Sequence, residues 1–478
     1  MYDCIIIGAG ISGCSLAFEL SKYQGKVLLI EKNNDVADET TKANSAIIHA
    51  GYDPEPNTLM AKYNVEGNRL TPEICRDLDV HCDPIGSLVV AFEEEEKETL
   101  EKIYERGLKN GVKGMRIVEK EELYEMEPNL NEKAIAALYA PSACIINPWQ
   151  LAIALSEVAM QNGVEIKLNE TVTKITKKED SFLVNDQYEA KMVVNAAGVQ
   201  CDQVTGLVTK CDYKIEPNKG EYYLLDKSQG TLVNHVIFQC PSKEGKGVLV
   251  SPTVHGNLIV GPSSESSDEE DYATSLEGLA LVKSKALKSV PKINFRENIR
   301  TFAGIRARRS DHGDFVVGED QNVKNFYSMA AMASPGLSSA VAIAKDIVKM
   351  MQEKGCFIEK NEAAVTTRKV IQFNRMSHEE RKEVIEKQPA YGRIICRCES
   401  ISEGEILDAI HRCPHPVSID GIKRRCNTGM GRCQGGFCGP RVQEILSREL
   451  GIPQEEIVKD KKGSQVLFYR TKEDMGNE

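Results

Sequence analysis

At 478 residues the chain is long enough for about three domains and a sizeable core. Its formal net charge of -11 excludes nucleic acid and anionic membrane as general partners. No apolar run approaches the ~20 residues needed to span a bilayer, and no targeting segment precedes the first apolar stretch, so a cytoplasmic protein is expected, with peripheral membrane attachment only through a partner. Of the fifteen cysteines, nine are scattered before position 360 and read as small buried thiols, whereas six fall between Cys396 and Cys438.

Met1–Ile7 reads as a short buried strand, after which Gly8, Gly10 and Gly13 form a G-x-G-x-x-G turn opening a helix over Ile11–Tyr23. One glycine makes the tight turn, one admits backbone N–H groups to a pyrophosphate, and one lets the helix lie close on the strand. Ile11 and Ser12 join the three glycines as candidate contacts, because a diphosphate at a helix N-terminus meets unpaired donors and the positive dipole end. A second strand, Lys26–Ile30, ends in Glu31, an acid placed to accept from a ribose hydroxyl, with Lys32 beside it. Asp38–Gly51 is rich in small and hydroxyl residues and then turns apolar, as a loop threading past a ligand would, and it holds the candidates Thr41, Asn44, Ser45 and His49.

The glycine turn, Glu31 and the Asn44-Ser45…His49-Ala50-Gly51 segment together resemble the D-amino-acid-oxidase-type flavoprotein superfamily, nearest to its glycerol-3-phosphate dehydrogenases and L-2-hydroxyglutarate oxidases. The resemblance implies FAD rather than NAD, with this segment beside the isoalloxazine ring and His49 near the flavin. It also implies an adenine contact near Val172, a closing N-A-A-G turn at Ala197 and Gly198, and an arginine over the flavin in the G-[IL]-R segment, here Gly304 to Arg306.

Further along, helices are expected over Leu59–Cys75, Glu93–Asn110 and Gln150–Asn162, and strands over Gly86–Phe92, Ala134–Tyr139, Glu165–Leu168 and Met192–Ala197. Lys214–Phe302 reads as short alternating strands with glycine and proline between them, a mostly antiparallel sheet inserted into the nucleotide domain, with a helix over Tyr272–Ser289. Lys219 and Tyr222 stand there as substrate-facing candidates. In the extended stretch Thr301–Gly318, Arg306 and Arg308 share a face while Arg309 points away, and two guanidinium forks on one face suit a carboxylate or phosphate. Phe326–Met332 is a predicted strand. The helix Leu337–Met351, opened by Ser334-Pro335-Gly336, is implied by the resemblance to aim its N-terminus, with Gly336, Leu337 and Ser338, at the flavin pyrimidine edge.

Asn361–Gly392 is charged and helical in character and reads as a linker. Cys396-Arg397-Cys398 with Cys433 and Cys438 then gives C-x-C…C-x4-C, four thiolates that can hold tetrahedral zinc or an iron–sulfur cluster. C-x-C is strained around a single metal and better suited to a cluster. The KRRCNTGMGRCQGGFCGPRV run resembles the bacterioferritin-associated-ferredoxin-like [2Fe-2S] domain. Ser402 with Glu405 signals a capping box for a helix over Glu403–Arg412, and Pro440 starts another over Arg441–Leu450. Lys423, Arg424, Arg425 and Arg432 form a basic patch expected to support the cluster charge or meet an acidic acceptor.

The expected architecture is therefore α/β, a Rossmann-like FAD-binding domain with an inserted, mostly antiparallel β substrate domain, plus a small C-terminal α-helical [2Fe-2S] domain. Residues 1–80, 145–213 and 300–360 would build the first, 81–144 and 214–299 the second, 361–392 a linker, 393–455 the cluster domain and 456–478 a tail. The expected activity is oxidation of a small anionic alcohol held by Arg306, with His49 as the base and electrons passing through the cluster to a partner protein. The resemblance places sn-glycerol 3-phosphate first, L-2-hydroxyglutarate or another 2-hydroxy acid next, then an amino acid or opine. A noncatalytic electron-transfer or redox-sensing subunit is the alternative of another class.

Overall fold

The strand Tyr2–Ile7 (β1) is buried over its last four residues, and that decides its place at the centre of a sheet. In the computed structural model, which describes residues 1–241 and 247–469, β1 is followed by the helix Ile11–Leu20 (α1) and the fully buried strand Val27–Ile30 (β2). β1 pairs in parallel with β2 on one side and with Tyr188–Asn195 (β4, after the short strand Ile47–Ile48, β3) on the other, in register Ile7↔Ile30 and Ile7↔Asn195. Each isoleucine or leucine buried here contributes about 1.5–3 kcal/mol of transfer free energy. Phe326–Ala330 (β7, after Ile215–Leu225, β5, and Asn298–Arg309, β6) extends the parallel set beyond β4. All ten residues of α1 are buried, against the helices Pro148–Gln161 and Gly336–Glu353 (α3, after Leu59–Asp77, α2).

Among the described residues, a second sheet of nine strands is antiparallel except where Val236–Gln239 runs parallel to Ser87–Ala91. Its long members β5 and β6 pair along their length, Asn218 opposite Arg306 and Tyr222 opposite Phe302. The helix expected from Tyr272 begins instead at Leu276, because Glu221, fully buried, accepts from Ser275 N–H at 3.0 Å and Ser275 Oγ at 2.9 Å, and Ser275 caps the helix by accepting from Gly278 N–H. The strand expected to reach Met332 stops at Ala330, since Ala331 turns into the left-handed region at φ +56°.

Two compact units partition the chain: Met1–Ile30, Ala37–Lys167 and Val172–Arg368 form the first; Glu31–Val36, Leu168–Thr171 and the chain from Lys369 onward form the second. The sheets above belong to the first. In the second, the expected linker carries the helix His378–Lys387, followed by the helices Glu403–His411 (α4), Ile419–Cys426 (α5) and Gly439–Leu450 (α6). Ser402 and Glu405 form the capping box at α4, a device contributing about 1 kcal/mol. Ile406, Ile410, Ile422, Val442, Ile445 and Leu446 pack into one core that also contains Cys396 and Cys438.

Candidate functional site

The glycine turn of the first unit leaves no room for side chains. A Cβ on Gly13 would stand 1.9 Å from the Gly8 carbonyl oxygen, and one on Gly8, whose φ is +100°, would stand 2.5 Å from that of Ala196. Gly10 caps α1 without a side-chain acceptor, while the Ile11 N–H donates to Thr41 Oγ1 at 3.0 Å. The turn therefore presents bare backbone at a helix N-terminus, which fits a diphosphate. It also brings three predicted segments together: the glycines, Thr41, and the N-A-A-G turn. There the Ala197 N–H donates to Asn195 Oδ1 at 3.1 Å and Gly198 takes φ +57°. Val172 is half-buried and packs at the edge of the core beneath this sheet.

Past Thr41 the loop is fastened to β6. A Cβ on Gly304 would come 1.8 Å from Ala43 O, and Thr40 Oγ1 donates to Ile305 O at 2.6 Å. Asn44 spends its side chain inside the loop, donating to the Thr40 and Thr41 carbonyls and accepting from Ala46 N–H, so it shapes the loop. Ser45 Oγ lies 3.1 Å from Tyr222 OH, and the Tyr222 ring stacks on Phe302 at 4.7 Å. Four residues on, the His49 N–H donates to Ser338 Oγ at 2.8 Å, and Asn64 Nδ2 donates to the His49 carbonyl at 2.6 Å. The His49 ring stands 5.8 Å from that of Phe238.

Ser338 is fully buried in the first turn of α3, next to Leu337 and Gly336, and that helix begins after Pro335 with no side-chain cap. Its first-turn donors form a positive helix end on the same turn that holds His49. A Cβ on Gly67 of α2 would meet Ser338 O at 1.8 Å, so α2 and α3 are pressed together here.

Arg306 is half-buried on β6. Its guanidinium donates to Asn218 Oδ1 and, at 3.2 Å, to Ser263 O, and it makes no ion pair among the described residues. A Cβ on Gly220 would strike Arg306 Nη2 at 2.3 Å, so the glycine is what admits the guanidinium. Two neutral oxygens orient this cation without neutralising it, the arrangement expected of a group that awaits an anion.

Two candidates leave this group. Arg308 bonds Glu216, its cross-strand partner, at 3.1 Å. Lys219, expected to face the substrate with Tyr222, turns to the other face of β5 with Glu221 and donates to Asp271 at 2.7 Å and to Ala273 O at 3.2 Å. The pleat explains it: residues 218, 220 and 222 share the face of Arg306, and Lys219 alternates away. The Asp271 hydrogen bond holds the Lys219 ammonium above its ordinary value. His312 is an exposed turn residue at φ +56°.

Sequence reasoning missed Asn218, Ser263 and Asn64, the residues that hold Arg306 and His49. Asn218 and Arg306 become neighbours only through the β5–β6 register, which no local pattern announces.

In the second unit Glu31 is buried, and its carboxylate accepts from Asn33 N–H at 2.9 Å, with Lys32 half-buried beside it. The four predicted thiols are gathered as two pairs. Cys398 and Cys433 stand at the surface, Sγ to Sγ 3.6 Å, and Cys396 and Cys438 touch in the core, 1% and 2% exposed. The contact between them lowers the Cys396 thiol, helped by the Gly429 and Glu399 N–H groups, and raises that of Cys438. The Phe437 N–H likewise lowers Cys433. A Cβ on Gly431 would stand 2.3 Å from Cys398 Cβ, so the glycine-rich loop lies against the ligand strand. Backbone donors at Cys396 and Cys433 and the two-plus-two grouping fit a binuclear cluster, which these four cysteines would hold with two of their sulfurs on each iron. Among the described residues, no three His, Cys, Asp or Glu side chains converge on one metal-ion position.

Half of the expected basic patch is not at the surface, while Lys423 is half-buried and Arg432 exposed. Arg424 and Arg425 are buried, and both bond Asp35. Burial pushes the Asp35 carboxyl up, but the Arg425 and Arg424 guanidiniums outweigh it and hold it below the usual range. Cys426 is half-buried, its thiol donating to the Ile422 carbonyl, and desolvation pushes that thiol up to about 12.

A family model described as FAD dependent oxidoreductase matches residues 3–350, and one described as BFD-like [2Fe-2S] binding domain matches residues 394–448. The chain is 48% identical to a glycerol 3-phosphate dehydrogenase of Caloramator mitchellensis over 99% of its own length and 100% of that protein. It is 36% identical to a glycerol 3-phosphate oxidase of Mycoplasma genitalium over 74% of its length and 95% of the relative. Among solved structures, dithionite-reduced L-alpha-glycerophosphate oxidase from Mycoplasma pneumoniae with FAD bound superposes with a TM-score of 0.70 at 34% identity, covering 73% of this chain and 94% of that one.

Proposed function

The chain belongs to the FAD dependent oxidoreductase family, and from that premise we propose that it oxidises sn-glycerol 3-phosphate to dihydroxyacetone phosphate, with electrons leaving through a [2Fe-2S] cluster to a partner protein. It is an enzyme of the glycerol-3-phosphate-dehydrogenase-like kind, and its cofactors are FAD and the cluster. FAD, when bound, supplies a two-electron acceptor for the hydrogen on the substrate's alcohol carbon, and the cluster supplies one-electron steps.

The chain's own residues supply the rest. The bare turn of Gly8, Gly10 and Gly13 receives the diphosphate, and the first turn of α3 supports negative charge at the flavin edge. Arg306 takes the substrate phosphate. His49, its backbone fixed by Ser338 and Asn64, accepts the hydroxyl proton. Tyr222 and Ser45 stand as a hydroxyl pair for a polar substrate group.

The observation that carries the reading is Arg306, a half-buried guanidinium oriented by two neutral oxygens and free of any ion pair among the described residues. A cytoplasmic location accords with it, since no helix among the described residues is long and apolar enough to cross a membrane. The test is anaerobic addition of glycerol 3-phosphate, then L-2-hydroxyglutarate, while the flavin absorbance is followed. Bleaching by the first supports the reading, and bleaching by the second alone overturns it in favour of hydroxy-acid oxidation.

A further inference from the structure

Of the fifteen cysteines, two are exposed, Cys398 and Cys413. Cys398 belongs to the four thiols assigned to the cluster. Cys413 does not; it lies in the loop 412–418 between α4 and α5. An exposed thiol is open to oxidants and electrophiles, so its surroundings decide what it does.

His415, exposed like Cys413, has its Nδ1 2.8 Å from the carbonyl oxygen of Ile410, in the last turn of α4. A carbonyl only accepts, so Nδ1 carries the hydrogen and donates, and in the neutral ring Nε2 is then the bare nitrogen. Cys413 Sγ stands 3.0 Å from that nitrogen, so the thiol donates to it. The bond to Ile410 satisfies one of the carbonyls a helix leaves open at its C-terminus. A cap accounts for that bond alone; it does not account for a thiol placed on the opposite nitrogen.

The backbone holds the pair in position. Pro414 and Pro416 are buried, and the Pro414 carbonyl accepts from Arg425 Nη2 at 2.8 Å, a guanidinium itself fixed by Asp35. The nearby His411 turns instead to Glu449, at 3.1 Å. Among the described residues no three His, Cys, Asp or Glu side chains converge on one metal-ion position, so the pair is not part of a metal-ligand set. What remains is a nucleophile, a base within hydrogen-bond reach, and a third group that orients the base, the pattern of an activated nucleophile.

We infer that Cys413 is a nucleophilic thiol, with His415 as its base, that takes a low-molecular-weight disulfide into a mixed disulfide. The thiol proton passes to His415 Nε2, the thiolate sulfur attacks one sulfur of the disulfide, and the reagent's S–S bond breaks as the new one forms. The departing thiolate takes the proton from Nε2. One disulfide is consumed, one mixed disulfide and one thiol are made, and the incoming disulfide is the oxidant. The reaction needs neither the alcohol nor the flavin.

The test uses protein with full flavin and cluster absorbance, incubated at pH 7 with glutathione disulfide. Peptide mass mapping follows the mixed disulfide at each cysteine over time. Cys413 should acquire one glutathionyl group, removed again by dithiothreitol, and Cys413→Ser should abolish the fast modification. His415→Asn keeps an amide able to donate to the Ile410 carbonyl but has no basic nitrogen; it should slow the reaction about tenfold or more with the cluster spectrum intact. In His415→Ala, imidazole added to the solution should restore the rate. A helix cap and nothing more predicts an unchanged rate in His415→Asn and no response to imidazole. Either of those results would overturn the inference, as would wild-type protein whose Cys413 stays unmodified.

Discussion

Arg425 and Asp35 lie 390 positions apart in the chain and meet through two hydrogen bonds, Nη1 to Oδ2 at 2.7 Å and Nη2 to Oδ1 at 2.8 Å, with side chains 0% and 1% exposed. Arg424 adds a third bond to the same carboxylate at 2.9 Å and reaches Asp460 at 3.1 Å. The segment after β2 is thereby folded into the second unit, together with Asn34, whose amide donates to Asp460 O at 2.7 Å.

Removing one partner of such a group leaves buried charge uncompensated. Asp35→Ala takes the carboxylate from the buried Arg425 guanidinium and leaves Arg424 with Asp460, and should cost the second unit about 3–5 kcal/mol. The check is thermal unfolding followed at the cluster absorbance, which should be lost at a clearly lower temperature than in the wild type. Exchanging exposed Glu383 for alanine should leave it unmoved.

The same carboxyl ties stability to pH. Its folded-state value lies below the ordinary 3.8, so its contribution is complete above that value and fades as pH falls through the folded one. Urea midpoints of the second unit should hold steady from pH 7 to about 5 and drop below about 4. Asp35→Asn, already weakened at pH 7, should lose less on acidification.

Arg306 and Arg308 stand on one strand face but should behave differently. Arg306→Met removes charge-assisted bonds worth about 1.5–3 kcal/mol each, so kcat/KM for glycerol 3-phosphate should fall roughly ten- to hundredfold or more. Arg308 already bonds Glu216, and Arg308→Ala should change kcat/KM less than threefold. Steady-state kinetics with a dye acceptor separates the two.

The strand Tyr2–Ile7, the glycine turn and the four-cysteine spacing were legible because each is a local pattern imposed by local chemistry: burial on both faces, backbone approach, two pairs of thiolates. The helix beginning at Leu276 rather than Tyr272 was not, because the cap at Ser275 is organised by Glu221, 54 positions away. Lys219 and the arginines of α5 were misplaced for the same reason. A lysine's role depends on whether an acid such as Asp271 reaches it, and a basic run is buried or solvated according to a distant Asp35. Arg306 was recognised through a segment that resembles a family, while its neutral supports depend on the register of β5 and β6.

Gly13→Ala tests the cofactor turn. A Cβ 1.9 Å from Gly8 O forces α1 away from β1. The variant should purify with little or no flavin absorbance while the cluster absorbance remains, and a purified variant carrying normal flavin would contradict the assignment of this turn.

The most direct measurement of the whole account is rapid-mixing spectroscopy of the anaerobic protein with glycerol 3-phosphate, recording the flavin band and the longer-wavelength cluster band together. The account predicts that the flavin bleaches first, that cluster absorbance then falls, and that freeze-quenched samples show the paramagnetic signal of a reduced [2Fe-2S] centre. Flavin bleaching with a cluster that stays oxidised throughout would contradict it.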